Sequence, residues 1–343
     1  IRKADKSMEV LFQEKIYSFL QDIGITFEIT VDQHVVKVKA FYLEPETFGT
    51  APIFLLSTDL PENDYLAQTT SHRLYDSNIS TRIAQYVLLG IGGAKLLDLL
   101  GIEPDIYHLN EAHALPAAFH LYHKLGGLEA VKKKLVLTTH TPEQAGNEVH
   151  DFSLLTKMGF FDGVAIEDVR RITGIQDQPF NQTLAALRLS KIANGVSKKH
   201  GEVARKMWED HEDTCQIIAI TNAQNHLYWS DKKLYRLLSR GDHLAIQRRK
   251  KVLKRKFFEV VADQTGKILD PNVLTIVWAR RFAEYKRPDL ITSDFDRFKR
   301  LVTDKKFPLQ VIWAGKPYPL DLSLIHISEP TRLESKSRMP SYA

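Results

Sequence analysis

Arg280-Arg281-Phe-Ala-Glu-Tyr-Lys286-Arg287-Pro288 packs four cations into eight residues. Pro288 with Asp289 predicts the first turn of a helix, where proline's missing N–H is harmless. Cations are disfavoured at such an end, because the macrodipole already places positive partial charge there. The cluster therefore predicts a bound anion, and phosphate is the usual one. Ion pairing to nearby acids such as Glu284 is the plainer alternative, and the local sequence favours phosphate over it.

Other polar residues with chemical potential follow short apolar runs. Asn110-Glu111-Ala112-His113, Thr139-His140-Thr141-Pro142, Ser197-Lys198-Lys199-His200, Asn222 and Gly315-Lys316 all stand in this position. His140 reads equally well as a ligand-facing imidazole or as one satisfied by backbone, and Asn222 equally well as a turn residue. His108, His113, His120 and His123 beside Glu111 raise the question of zinc, but the spacing fails. Zincin sites need His-x-x-x-His or its inverted form, whereas His108 and His113 stand five apart, about 140° around a helix. No metal is expected.

The runs before these clusters are Asp105–Leu109, Leu135–Thr139, Lys191–Val196, Gln216–Thr221, Val273–Ala279 and Leu309–Ala314. They are short, rich in β-branched residues and unalternating, as strands buried on both faces should be. Helical stretches separate them, which predicts an α/β doubly wound architecture binding ligands beyond the carboxyl ends of its strands. Upstream, Ile1–Val35 reads as a mixed edge element, with strands at Val36–Leu43 and Ile53–Ser57. Ile79–Leu100 reads as two helices hinged at Gly90-Ile91-Gly92-Gly93, which follows no strand and so is not a dinucleotide fingerprint.

The whole chain has 343 residues, 43% of them hydrophobic and 26% charged, so a fibrous or disordered protein is excluded. A net charge of +5 is too mild to imply nucleic acid. Eleven Lys or Arg do crowd Asp231–Lys256. Leu253, Phe257, Val260 and Val261 lie beneath them at helical spacing, which favours a solvated amphipathic helix over an RNA-binding strip. No apolar run is long enough for a membrane span, and the single cysteine, Cys215, suits a reducing cytoplasmic setting.

In order along the chain, these segments resemble the α-glucan phosphorylases, the PLP-dependent glycogen, starch and maltodextrin phosphorylases. Matching stretches include Thr58-Asp-Leu-Pro-Glu-Asn63, His72-Arg-Leu-Tyr75, Leu89-Gly-Ile-Gly-Gly93, Tyr107-His-Leu-Asn-Glu-Ala-His113 and Thr138-Thr-His-Thr-Pro142. Asn194-Gly-Val-Ser197 with His200-Gly-Glu202, Ile220-Thr-Asn222, Arg280 to Arg287 and Ala314-Gly-Lys316 extend the likeness to about Asp321. The resemblance implies a GT-B fold of two Rossmann-like domains and reversible phosphorolysis of α-1,4-glucans by inorganic phosphate to glucose 1-phosphate. It implies that His140 contacts the glucosyl unit at the cleavage point and Asn222 a sugar hydroxyl, with Glu111 and His113 on the loop beside the sugar. It further implies that Arg281 and Lys286 hold the substrate phosphate and Arg280 the phosphate of pyridoxal 5'-phosphate. Ala112, Ala114-Leu-Pro116, Ala223 and Pro317-Tyr318 depart from the family's pattern and suggest a divergent bacterial branch.

The resemblance also implies a glycine-rich loop before Ile1 and the Schiff-base lysine, in a Gly-Thr-Ser-Gly-Met-Lys context, after Asp321. With the missing initial Met, this predicts a truncated and inactive piece of a longer enzyme. Residues 1–225 would form the end of a first, glucan-side domain and 226–321 the first half of a second, phosphate-side domain. Residues 322–343 continue no strand or helix pattern and read as a non-native tail. A nucleotide-sugar glucan synthase of the same architecture and a non-catalytic glucan-binding protein are the alternatives; the cation cluster counts against the latter. Homo-oligomerisation is left open.

Overall fold

The computed structural model describes residues 17–73, 76, 78–141, 143, 147–176, 179–280, 282 and 286–315. Arg281 and the whole of 322–343 lie outside the described residues. Contacts divide the chain into two compact units, Ile1–Tyr228 and Trp229–Ala343.

The first unit opens with strands β1 (Leu20–Val31), β2 (His34–Leu43) and β3 (Ile53–Ser57), paired antiparallel in that order. Alternation buries Phe27 and Ile29 from β1 and Val36, Val38 and Ala40 from β2. The long strand β1 stands where only a mixed edge element was expected. Its hairpin turns on Asp32 and Gln33, both at positive φ (48° and 65°), without the Asn-Gly signature that announces such turns.

Helices α1 (Ile79–Val87) and α2 (Gly93–Leu99) follow, joined by a π-helical segment over Leu88–Gly92. The glycines are thus not a hinge, because the helical path continues through them. Gly90 is small for a packing reason. A Cβ there would meet Ala117 N at 2.7 Å and Pro116 Cβ at 2.9 Å, at the start of α3 (Pro116–Leu125). Gly90→Ala is accordingly expected to destabilise by roughly 1–3 kcal/mol through overpacking. Gly93→Ala, with nothing within 4 Å of the added carbon, should be neutral or stabilising. Urea unfolding of the two variants checks this contrast, and equal midpoints would contradict it.

The remaining core surrounds four parallel strands, β4 (Tyr107–Asn110), β5 (Leu135–Thr139), β8 (Ile192–Gly195) and β9 (Gln216–Ala219), adjacent in that order. The short antiparallel pair β6 (Val149–His150) and β7 (Phe180–Asn181) lies between them in sequence. Strand and helix alternate, with α3 and α4 (Leu128–Lys134) between β4 and β5, α5 (Gln182–Leu189) before β8, and α6 (Lys198–Trp208) between β8 and β9. This is the expected α/β, Rossmann-like arrangement. Among the described residues its strand order runs without reversal. Phe119, Phe152, Phe161 and Phe180 form one aromatic cluster, with Phe161 5.0–5.4 Å from each of the others.

The second unit holds α7 (Lys232–Ser239), α8 (His243–Thr265), β10 (Leu274–Ala279), α9 (Phe295–Thr303) and β11 (Leu309–Ala314). β10 and β11 pair in parallel with Leu274 opposite Leu309 and Ala279 opposite Ala314. The basic run is helical, in α7 and α8, but the expected apolar stripe is not buried: Phe257 and Val260 are exposed, and it is Phe258 that turns inward. Arg249 is bound through both Nε and Nη2 to Asp231, and this pairing holds the Asp231 carboxyl down at about 2. Pro288 starts no α-helix. Only the three-residue 3-10 turn Leu290–Thr292 follows it, and Arg287 adopts φ 49°. So short a turn carries little dipole, and the macrodipole argument for an anion there falls away. The cations themselves remain.

Candidate functional site

The parallel register sets up the site. Thr139 is opposite Gly195, and Gly195 is opposite Ala219, so the residues leaving β5, β8 and β9 emerge side by side. His140 is the first residue after β5. Ile220 N–H donates to Gly195 O at 2.9 Å and Asn222 N–H to Val196 O at 3.0 Å, which carries the row on to an exposed Asn222. Glu111 joins it from β4, its N–H donating to Thr138 O at 2.8 Å. Glu111, His140 and Asn222 therefore share one edge of the sheet, the carboxyl one, as the sequence predicts.

Glu111 sits at φ 61° and ψ −179°, a strained conformation for a residue with a Cβ. Its carboxylate faces the neighbouring strand end, where Oε1 accepts from His140 N–H at 2.6 Å and lies 3.5 Å from Thr141 Oγ1. Burial raises its pKa above the ordinary value, outweighing these hydrogen bonds. In this geometry Glu111 positions the His140 backbone. Sequence spacing could not show this, since the two stand 29 residues apart.

His140 is half buried. Its Nε2 is enclosed with no hydrogen-bond partner among the described residues, whereas Nδ1 is not enclosed in this way. Burial lowers its pKa, so the ring is neutral near pH 7. Beneath the edge a polar ladder crosses three strands: His108 Nε2 lies 2.7 Å from Thr138 Oγ1, which donates to Asn194 Oδ1 at 2.8 Å.

His113 faces a different group. Its ring stacks on Tyr86 with centroids 5.2 Å apart and planes 17° apart. Burial and the nearby Arg82 charge both lower its pKa. Arg82 pairs with Glu148, and Glu148 also lies 3.0 Å from His150 Nε2. This largely buried ionic network, linking α1 to β6, went unrecognised in the sequence because its members are scattered over nearly seventy positions.

The other histidines of the suspected zinc group disperse, and no metal-holding group of three ligands occurs among the described residues. His120 lies 2.9 Å from both Asp162 Oδ2 and Asp98 Oδ2, and these partners raise its pKa, most of all Asp162. A raised folded pKa gives stability that is complete below the unfolded value and lost as pH rises through the folded one. His120→Gln should thus lose more stability at pH 6 than at pH 9, as read by denaturant midpoints. The opposite trend would refute the pairing.

In the second unit Arg280 is exposed just after β10, with its N–H donating to Ala314 O at 3.0 Å. Gly315 presses on this turn so closely that a Cβ would collide with the Arg280 carbonyl. Lys286 is half buried and Arg287 exposed. Arg281 lies outside the described residues, and with it the expected convergence of Arg281 and Lys286.

No family model matches the chain. It is 45% identical over 325 residues to an uncharacterized protein of Methanocaldococcus jannaschii, covering 95% of this chain and 61% of that one. It is 30% identical over 345 residues to the maltodextrin phosphorylase of Thermococcus litoralis, covering 87% of this chain and 41% of that enzyme. The glycogen phosphorylase of Aquifex aeolicus is also 30% identical, over 80% of this chain and 48% of its own length. The fold and the sheet-edge site thus belong to an α/β protein with a Rossmann-like sheet. Over four-fifths or more of its length, that protein is similar to glycogen and maltodextrin phosphorylases. The chain spans about 40–60% of these relatives. No helix among the described residues is long and apolar enough to cross a membrane.

Proposed function

We propose that this chain is part of an α-glucan phosphorylase of GT-B architecture, which cleaves α-1,4-glucans with inorganic phosphate to give glucose 1-phosphate. The observation that carries the reading is the row of Glu111, His140 and Asn222 at one carboxyl edge of the parallel sheet. On this reading the His140 ring and the Asn222 amide orient a terminal glucosyl unit, while Glu111 fixes the strand end that bears His140. A neutral imidazole suits an uncharged hydroxyl better than an anion.

Residues after β10 supply the phosphate side. An exposed Arg280 fits the phosphate end of pyridoxal 5'-phosphate, and Arg281 with Lys286 fits the substrate phosphate. No Gly-Thr-Ser-Gly-Met-Lys segment for a Schiff base occurs in this sequence, so the fit concerns the phosphate alone. When bound, the cofactor contributes a phosphate group able to exchange a proton with the substrate phosphate. The chain's own cations hold these two anions close together and stabilise negative charge as the glycosidic bond breaks. The wider setting proposed is the cytoplasm, with glucan and phosphate as partners.

The test uses the longer parent protein: pyridoxal absorbance, and release of glucose 1-phosphate from maltodextrin with phosphate. Glucosyl transfer from a nucleotide sugar without pyridoxal would favour the synthase reading instead.

A further inference from the structure

The end of β11, Trp313-Ala314-Gly315, holds both ends of the cation turn. Where the turn starts, Arg280 N–H donates to Ala314 O at 3.0 Å, and Gly315 leaves room for the Arg280 carbonyl. Where it ends, Trp313 Nε1–H donates to Pro288 O at 3.1 Å. Trp278 stands opposite Trp313 in the parallel register, and its ring lies 5.0 Å from that of Phe282 inside the turn. Trp313 is itself braced by α9, its ring meeting Phe298 edge-on with centroids 6.1 Å apart.

The indole bond bears most directly on the charges. It grips the residue after Arg287, which adopts φ 49°. That left-handed conformation is strained for a residue with a Cβ, and the proline ring that follows favours an extended backbone there instead. Such a conformation persists only where surrounding contacts impose it. Pro288 has no N–H, so its carbonyl is its only main-chain hydrogen-bonding group, and Trp313 takes it. An indole suits the task, because it joins a rigid apolar body to a single donor. Without that donor Arg287 can relax towards the extended region, carrying the neighbouring Lys286 with it. Cations held in place bind an anion more tightly than cations that must first be ordered.

We propose that Trp313 is a positioning residue for anion binding: by holding the Pro288 carbonyl, it keeps Lys286 and Arg287 in the arrangement that receives a phosphate-class anion. That this anion is the phosphate consumed in phosphorolysis rests on the proposed function; the dependence of anion binding on the indole N–H does not.

The test titrates inorganic phosphate into the full 15N-labelled chain at constant ionic strength, following the Arg287 amide and the Trp313 indole N–H. Lys286→Ala assigns the phosphate-dependent shifts to this turn. Two replacements of Trp313 then separate the donor from the ring. Trp313→Phe removes the N–H and part of the ring, whereas benzothienylalanine, a tryptophan isostere with sulfur in place of N–H, removes the donor alone. Both should raise the dissociation constant for phosphate about 3- to 10-fold, the range that one neutral hydrogen bond supplies. An unchanged constant with either replacement would overturn the inference, and with the isostere it would assign any effect of Trp313→Phe to packing. Absence of a phosphate-dependent shift at Arg287 in the wild type, or its persistence in Lys286→Ala, would overturn it equally. No turnover is involved. A parent protein that binds phosphate here but releases no glucose 1-phosphate would therefore defeat the proposed function and leave this inference standing.

Discussion

Replacing Arg82 by Met should destabilise the first unit by about 3–5 kcal/mol at pH 8, since it leaves the Glu148 carboxylate largely buried without its principal cation. The two side chains are 14% and 18% exposed, so little solvent is available to take over. His150 offers partial relief. Burial and the Arg82 charge now depress its pKa, and the variant removes one of these causes while leaving His150 3.0 Å from Glu148. Its pKa should then rise, so protonation towards pH 5.5 restores an ion pair and reduces the loss. Urea unfolding at the two pH values measures both parts. A loss under 1 kcal/mol at pH 8 would show that the pair is not structurally important. Because Arg82 Nη2 also donates to Tyr86 OH at 3.3 Å and Tyr86 stacks on His113, the Arg82 variant should also perturb the loop that carries Glu111.

Lys286→Ala in the longer parent enzyme is expected to raise the phosphate requirement about 10- to 100-fold. This corresponds to losing one hydrogen bond to a charged group, worth about 1.5–3 kcal/mol. The glucan requirement should change little, because Glu111, His140 and Asn222 lie in the first unit, on a different sheet. Steady-state kinetics with each substrate varied in turn decides the matter. Equal effects on both substrates would remove Lys286 from the phosphate side.

Much of the fold is legible without coordinates. Leu135–Thr139 and Leu309–Ala314 appear as strands with the boundaries read from the chain. Unbroken β-branched runs between helical stretches admit few other structures. The polar residues closing these runs were legible as candidates because ligands of a parallel α/β sheet bind beyond the carboxyl ends of its strands. Less was visible where a signal is shared between explanations. The strand β1 was hidden because its turn residues, Asp32 and Gln33, are not the usual ones. The glycines at Gly90–Gly93 suggested a hinge because the sequence cannot tell a glycine that bends from one that lets another helix approach.

By itself the sequence determined the alternation of strands and helices, the polar character of the strand ends and the likeness to α-glucan phosphorylases. Tertiary structure decided which polar residues meet. Glu111 finds His140 across 29 residues because the β4 and β5 ends are adjacent. His200 reaches Val196 because α6 packs on Gly195. His113 turns to Tyr86 and His120 to two aspartates, rather than to a common metal. The physical reason is one of range. Backbone periodicity is set by neighbours a few residues apart. Hydrogen bonding, burial and tautomer depend on groups brought together from distant positions, and only the packed sheet supplies those.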